Sequence, residues 1–180
     1  LTTGPDRDVL ARLEISAAAT HWRNVWLLAV ARVLDTRGHL TDVIAALLGR
    51  IGADPIAQRT GLKSELAAEL LADSVALNLP VLRTQWLADV LEALTLPPRP
   101  FEIANALRTA AGERAIYKST ISTALTAAAN GTLAARANYV DLMGTPTGRV
   151  LARQLNLPSP NPDPRTRSIV SSLAGPDLAE

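Results

Sequence analysis

Residues 118–133, KSTISTALTAAANGTL, combine one lysine with seven side-chain hydroxyls or amides, in a stretch whose alanines and leucines favour a helix. Such side chains can bond to base edges or phosphates when a helix enters a nucleic-acid groove. They can also serve the helix itself, with Ser119 or Thr120 as its cap and with Thr123 and Thr126 bonding back to the preceding turn. The sequence leaves both interpretations open.

Positive charge is concentrated around this stretch. The chain has 18 basic and 17 acidic residues, of which residues 108–153 hold six basic and two acidic ones, a net charge of +4. The rest of the chain holds 12 basic and 15 acidic residues, a net charge of −3. A local positive field of this kind is what phosphate binding requires, although a solvated face can gather charges by chance.

The residue types that catalyse reactions are sparse. The two histidines, His21 and His39, belong to no His-x-x-His, His-Glu-x-x-His or paired acidic motif. The sequence has no glycine-rich phosphate loop and no Gly-x-Ser-x-Gly elbow. We therefore predict a protein with no enzymatic activity, no cofactor and no metal ion.

The absence of cysteine excludes disulfides, cysteine-ligated zinc and cysteine nucleophiles, and it fits a reducing compartment. The longest apolar run, residues 25–34, is interrupted by Arg32 and is too short to span a membrane. The first ten residues do not have the pattern of a signal peptide. We expect a cytoplasmic protein that does not enter a membrane.

Composition predicts an all-α fold. Hydrophobic residues make up 48% of the chain and aromatic residues only 3%, so Leu, Ala, Val and Ile must build the core, which favours packed helices over a β-sandwich. Apolar residues recur at steps of three and four from residue 5 to 36, as one long helix or as two that meet near Ala19. Trp22 and Trp26 lie four residues apart, which indicates core or a dimer interface.

The segment DPIAQRTGLKSELAAELLADSVALNLP, residues 54–80, resembles a helix-turn-helix unit. Its alanine, Ala57, lets the second helix cross closely, and Gly61 permits a left-handed turn. The apolar positions of such a unit would be Ile56, Leu62, Ala67 and Leu70. Its second helix carries three carboxylates, Glu65, Glu69 and Asp73, which would repel phosphates. We interpret this segment as a structural corner in preference to a DNA reader.

Residues 99–155 resemble the winged helix-turn-helix module of bacterial transcriptional regulators. FEIANAL, residues 101–107, is similar to the positioning helix, and residues 118–133 are similar to the recognition helix with the turn into the wing. LMGTPTGRVLARQL, residues 142–155, is similar to the phrase that follows the wing. Residues 134–144, AARANYVDLMG, would then form the wing, as a small β-element or loop.

The resemblance implies a transcriptional regulator that reads duplex DNA through the helix 118–130. Ile121 and Leu125 would point inward. The side chains implied to contact DNA are Arg114, Lys118, Ser119, Thr120, Ser122, Thr123, Arg136 and Arg149. Regulators of this kind commonly act as dimers, so we expect a homodimer, with the N-terminal helix as its interface.

The sequence predicts three regions. Residues 1–96 form an N-terminal helical region, residues 97–157 a winged-helix-like region, and residues 158–180 a largely disordered tail rich in Pro, Ser and Asp. One alternative is a non-enzymatic helical protein–protein interaction module or a subunit of a larger assembly. A third is a ligand-binding bundle with an apolar pocket near Trp22, Trp26 and Trp86.

Overall fold

The computed structural model describes residues 2–96 and 103–157, and every regular element within these ranges is helical. The α-helices are α1 (Asp6–Ser16), α2 (Arg23–Thr36), α3 (Thr41–Ala53), α4 (Pro55–Thr60), α5 (Leu62–Ala72), α6 (Pro80–Glu92), α7 (Ala104–Glu113), α8 (Ala115–Asn130), α9 (Leu133–Gly144) and α10 (Pro146–Leu155). Short 3-10 turns precede α2 and α3. The all-α prediction is confirmed for the described residues. Most of the proline-rich break and all of the tail that was predicted to be disordered lie outside them.

Contacts divide the chain into two compact units, Leu1–Asp89 and Val90–Glu180. The division lies within α6, upstream of the domain boundary that the prolines after residue 96 predict. In both units the buried side chains are mainly leucine and alanine, with valine and isoleucine, as the composition requires.

The first unit is built around α5, which is buried on most of its sides. Leu66, Leu70 and Leu71 have no exposed area. Helix α5 packs against α3 and α4, and α3 also packs against α1 and α2. The N-terminal segment forms two helices, so the two-helix alternative is confirmed. Trp26 ties them together, because its Nε1 donates a hydrogen bond to the carbonyl oxygen of Leu13 at 2.8 Å.

The corner between α4 and α5 has the left-handed glycine that the sequence predicts. The Asp54 side chain accepts hydrogen bonds from the backbone N–H groups of Ile56 and Ala57, each at 2.9 Å, and so caps α4. Gly61 adopts a left-handed φ of +68° that favours glycine. One expectation was wrong: Ile56 is 72% exposed and does not join the core. The buried face of α5 includes Ser64 and three leucines, so α5 packs within the unit, in keeping with the interpretation as a structural corner.

The second unit packs α7, α8, α9 and α10 in a ring, since each consecutive pair is in contact and α10 also packs against α7. Short connections force the sharp turns: Arg114 alone separates α7 from α8, and Thr145 alone separates α9 from α10. At the second turn, Thr145 Oγ1 accepts a hydrogen bond from Gly148 N at 2.9 Å. A Cβ atom at Gly148 would lie 1.9 Å from the carbonyl oxygen of Leu142, so only glycine fits there.

The predicted wing is wrong. Residues 134–144 lie in α9, and no β-strand occurs in residues 103–157. Leucine and alanine favour a helix here, and the Thr132 side chain caps it by accepting a hydrogen bond from Ala135 N at 3.2 Å. The helix that the resemblance places at residues 118–130 begins earlier, because α7 continues to Glu113 and α8 begins at Ala115.

Candidate interaction surfaces

Helix α8 carries a hydroxyl-rich face with one charged side chain, Lys118. Ile121 and Leu125 are fully buried, as expected. Ser119, Thr120 and Thr123 are exposed, whereas Ser122 is half-buried. The side chains that α8 exposes are Ala115, Ile116, Lys118, Ser119, Thr120, Thr123, Thr126, Ala127 and Asn130.

Part of this polarity serves the helix itself. Thr120 Oγ1 donates to the carbonyl oxygen of Ile116 at 2.9 Å, and Thr126 Oγ1 donates to that of Ser122 at 2.8 Å. The expectation of back-bonding is thus confirmed for Thr126. Neither Ser119 nor Thr120 caps the helix, because α8 begins at Ala115. The hydroxyl protons of Thr120 and Thr126 already take part in these bonds, so the two hydroxyl oxygens can only accept further hydrogen bonds.

The cations implied to contact DNA lie at one edge of the exposed surface of α8 or on other helices. Successive helical positions differ by about 100°, so Lys118 lies about 140° around α8 from Thr123 but only about 40° from Ser122. Arg114, four residues before Lys118, is exposed and lies over the ring of the buried Tyr117, with Cζ 5.9 Å from the ring centroid. The positive charge of α8 therefore lies beside the Ser122 hydroxyl and apart from that of Thr123.

The two remaining predicted contacts lie on other helices. Arg136 on α9 is half-buried. Arg149 on α10 is exposed, and its Nη1 donates to the carbonyl oxygen of Gly144 at 2.5 Å. The eight predicted residues therefore occupy three helices and the α7–α8 junction, and they do not converge on one helix face.

Several cations of the second unit lack a carboxylate partner. Within the described residues, none of the following side chains has a carboxylate oxygen within 4 Å: Arg108, Arg114, Lys118, Arg149 and Arg153. In the first unit, by contrast, cations lie close to carboxylates. Arg23 Nη2 lies 3.4 Å from Glu65 Oε1, and Arg23 Nε lies 3.5 Å from Glu69 Oε2. Lys63 Nζ lies 3.0 Å from Asp89 Oδ1. The excess positive charge of the second unit is therefore available at its surface.

Helix α2 and the turn before it carry an exposed apolar stripe. Leu28 is 71% exposed, Trp22 51% and Val25 42%. These three side chains, with the half-buried Ala31, form the apolar part of what we call the α2 stripe. Trp26, four residues from Trp22, is buried in the core at 1% exposure. The two tryptophans thus have different roles, one in the core and one at the surface.

Polar side chains complete the α2 stripe. These are His21, Asn24, Arg32 and Asp35, all exposed. Among the described residues, the side chains of Asn24, Arg32 and Asp35 form no hydrogen bond or ion pair. His21 stacks obliquely on Trp22, with ring centroids 5.9 Å apart. The polar groups of the stripe are therefore free to bond outward.

The sequence did not reveal the α2 stripe, because apolar residues occur on every side of α2. The periodicity groups Trp22 and Val25 with Trp26, Val30 and Val33 on one inward face. A signal was nevertheless present, since the alternation of three-residue and four-residue steps through Val25, Leu28, Arg32 and Asp35 is the spacing of a packing seam.

A small cleft of about 150 Å³ lies in the first unit. Its lining is Thr41, Asp42, Ala45, Leu79, Pro80, Val81, Leu82 and Gln85. It is not the tryptophan-lined pocket of the third alternative, since Trp26 and Trp86 are each only 1% exposed and do not reach it. Within residues 2–96 and 103–157, no three His, Asp or Glu side chains come together as metal ligands would.

Comparison with models of protein families, with curated protein sequences and with solved structures finds no match for this chain. The surfaces described above must therefore be interpreted from their own chemistry. Among the described helices, none combines the length and apolar character that crossing a membrane requires.

Proposed function

We propose that this protein is a non-enzymatic helical interaction module that binds another protein surface through the α2 stripe. The observation that carries the proposal is the exposure of Leu28, Trp22 and Val25, which follow one another at three-residue steps along α2 and the turn before it. Exposed apolar groups clustered together, with tryptophan among them, are typical of docking surfaces because their burial releases water and tryptophan is enriched at binding hot spots.

The structure around the stripe supports this proposal. Trp26, on the opposite side of α2, is held by its hydrogen bond to Leu13, which fixes the helix on the core. A rigid helix loses little conformational freedom when a partner covers it, so more of the binding energy is retained. The free polar side chains of Asn24 and Arg32 then provide the polar rim that protein interfaces commonly have.

A photo-crosslinking amino acid in place of Leu28 tests the proposal in cells that produce the full chain. We expect Leu28 to yield a discrete crosslinked species, because a bound partner would lie against it. The same amino acid in place of Ile56 is the matched control, since Ile56 is 72% exposed and lies on α4. If neither position crosslinks, or both crosslink alike, the α2 stripe is not a specific docking surface.

Duplex DNA is the second candidate partner, favoured by the cations of the second unit that lack carboxylate partners. Here the protein would act as a DNA-binding regulator, and the charged groups would contact phosphates. The test is a salt titration of binding to a mixed-sequence duplex. We expect affinity to fall steeply with salt and to drop when Arg114 and Lys118 both become alanine.

The control for this titration removes the same charge elsewhere. Arg7 and Arg59 are exposed in the first unit, so the double variant Arg7→Ala, Arg59→Ala matches the net charge of the first variant. Equal losses in the two double variants would mean non-specific attraction. No binding at modest salt would eliminate DNA as a partner.

A further inference from the structure

We infer that the partner of the α2 stripe is a second copy of this chain, docked antiparallel about a two-fold axis at Leu28. This inference rests on the proposed function, because it names the occupant of the same surface. Leu28 is the most exposed apolar side chain of the stripe at 71%, and it lies at the midpoint of the stripe in sequence.

The side chains along the stripe are complementary to the same side chains on an antiparallel second copy. Asn24 lies four residues before Leu28, and Arg32 lies four residues after it. His21 and Asp35 lie seven residues before and after. In an antiparallel pair centred on Leu28, each residue faces its counterpart on the other copy. The guanidinium of Arg32 would then donate to the Asn24 amide oxygen, and His21 would face the Asp35 carboxylate.

Two apolar positions, Val25 and Ala31, obey the same symmetry, whereas Trp22 would face position 34, whose leucine is buried. Val25 lies three residues before Leu28 and the smaller, half-buried Ala31 three residues after it, so a larger side chain meets a smaller one. At the axis, Leu28 packs on Leu28. Facing residues that alternate in size let two helices approach closely, as in the seams of antiparallel helix pairs.

The charged side chains favour an antiparallel pair of helices over a parallel pair. Two parallel copies would place Arg32 against Arg32 and Asp35 against Asp35, and like charges in contact are unfavourable. The antiparallel pair instead places each charged side chain against a different residue type. An interface of this kind is isologous, because the same patch serves on both subunits and closes the assembly at two copies.

The interface is one helix long. The stripe from His21 to Asp35 spans about 21 Å at the helical rise of 1.5 Å per residue. We therefore expect a monomer–dimer equilibrium that depends on protein concentration. Sedimentation equilibrium of the purified full chain measures it. Leu28→Glu should raise the dimer dissociation constant about tenfold or more, since two carboxylates would then meet at the axis.

The control for this measurement is Ile56→Glu. It adds the same charge at an equally exposed position, and a carboxylate in the first turn of α4 suits the helix dipole. We expect the dimer to be unchanged in this variant. A wild-type chain that stays monomeric at every concentration, or equal effects of the two substitutions, would overturn the inference.

The absence of native cysteine allows the direction to be tested by disulfide formation. Copies with Val25→Cys are mixed with differently tagged copies with Ala31→Cys and then oxidised. We expect the mixed disulfide to exceed both homodimeric disulfides, because antiparallel docking pairs position 25 with position 31. A preference for the homodimeric disulfides would indicate parallel docking and reject the proposed arrangement.

The crosslinked species at Leu28 separates this inference from the proposed function. A species of twice the mass of the chain that contains its peptides alone supports the second copy. A species that contains a different protein overturns the second copy and leaves the interaction module standing. No species at all contradicts both.

Discussion

Asn138 on α9 contacts the turn that follows α6 in the second unit: its Nδ2 donates to the carbonyl oxygen of Leu96 at 2.7 Å. The same amide also lies 3.0 Å from the carbonyl oxygen of Leu94 and 3.3 Å from that of Ala93. These carbonyls lie beyond Glu92, where α6 ends, so the helix itself does not include them. One amide therefore joins α9 to the segment that leads out of α6.

Replacing Asn138 with alanine should lower the free energy of unfolding by about 1–3 kcal/mol, because part-buried carbonyls lose their donor. Urea unfolding followed by circular dichroism measures the change. Asn130→Ala is the matched control, since the Asn130 amide donates only within α8, to Thr126, and is exposed. A loss at Asn138 no larger than that at Asn130 would show that the contact contributes no stability.

Gly148→Ala should lower the free energy of unfolding by about 3 kcal/mol or less, with the loss set by how far the α9–α10 turn can open. The added Cβ would overlap the carbonyl oxygen of Leu142 at 1.9 Å. Gly49 in α3 provides the opposite control, because no atom lies within 4 Å of its would-be Cβ. There alanine should stabilise the protein by about 0.5–1 kcal/mol. Thermal unfolding of both variants measures whether each substitution lowers or raises the stability of the protein.

The carboxyl of Glu69 should make the protein less stable as pH rises above 4.5. Burial raises the pKa of Glu69 above its ordinary value of 4.5, nearby Glu65 and Asp73 raise it further, and Arg23 only partly opposes them. The folded state therefore holds this proton more tightly than the unfolded state, and stability falls as pH rises through the window above 4.5.

Glu69→Gln should remove this slope. The measurement is the free energy of unfolding from pH 4.5 upward, for wild type and variant. Asp42→Asn is the control, since Asp42 also belongs to the first unit but not to the Arg23 cluster. A wild-type slope that persists unchanged in Glu69→Gln would assign the titration to another group.

The carboxyl of Asp6, in contrast to that of Glu69, should make the protein less stable as pH falls below 3.8. Hydrogen bonds from His39, at 2.7 Å, and from Arg37 lower the pKa of Asp6 below its ordinary value of 3.8. The resulting stabilisation is present above pH 3.8 and is lost as pH falls through the lowered pKa. Asp6→Asn should therefore be less stable than wild type at neutral pH, and the two should converge in acid. Parallel curves throughout would contradict this.

The sequence predicted those parts of the fold in which one residue determines a local conformation. Gly61 makes the turn of the α4–α5 corner, because the left-handed conformation favours glycine and leaves few alternatives. The all-α class followed from the shortage of aromatic residues.

The sequence did not predict those features that depend on how the helices pack against one another. Residues 134–143 contain no proline or glycine and their alanine and leucine favour a helix, but the resemblance to a winged helix-turn-helix module assigned them to a wing. The orientation of α8 was partly predicted, since Ile121 and Leu125 are buried. The spacing of Lys118 and the hydroxyls around α8 follows from the helical repeat, but which of them are exposed depends on the position of the helix against its neighbours. The exposure of Trp22, compared with Trp26, likewise depends on how α1 covers α2.

The unequal exposure of the tryptophans gives the molecule an internal optical reporter. Trp26 and Trp86 are each 1% exposed, whereas Trp22 is 51% exposed and lies on the surface assigned to docking. Iodide, which does not enter a packed core, should quench the emission of Trp22 selectively. Dilution that separates two copies should increase this quenching, whereas coverage of the indole should abolish it, so occupancy of the surface can be followed without any attached dye.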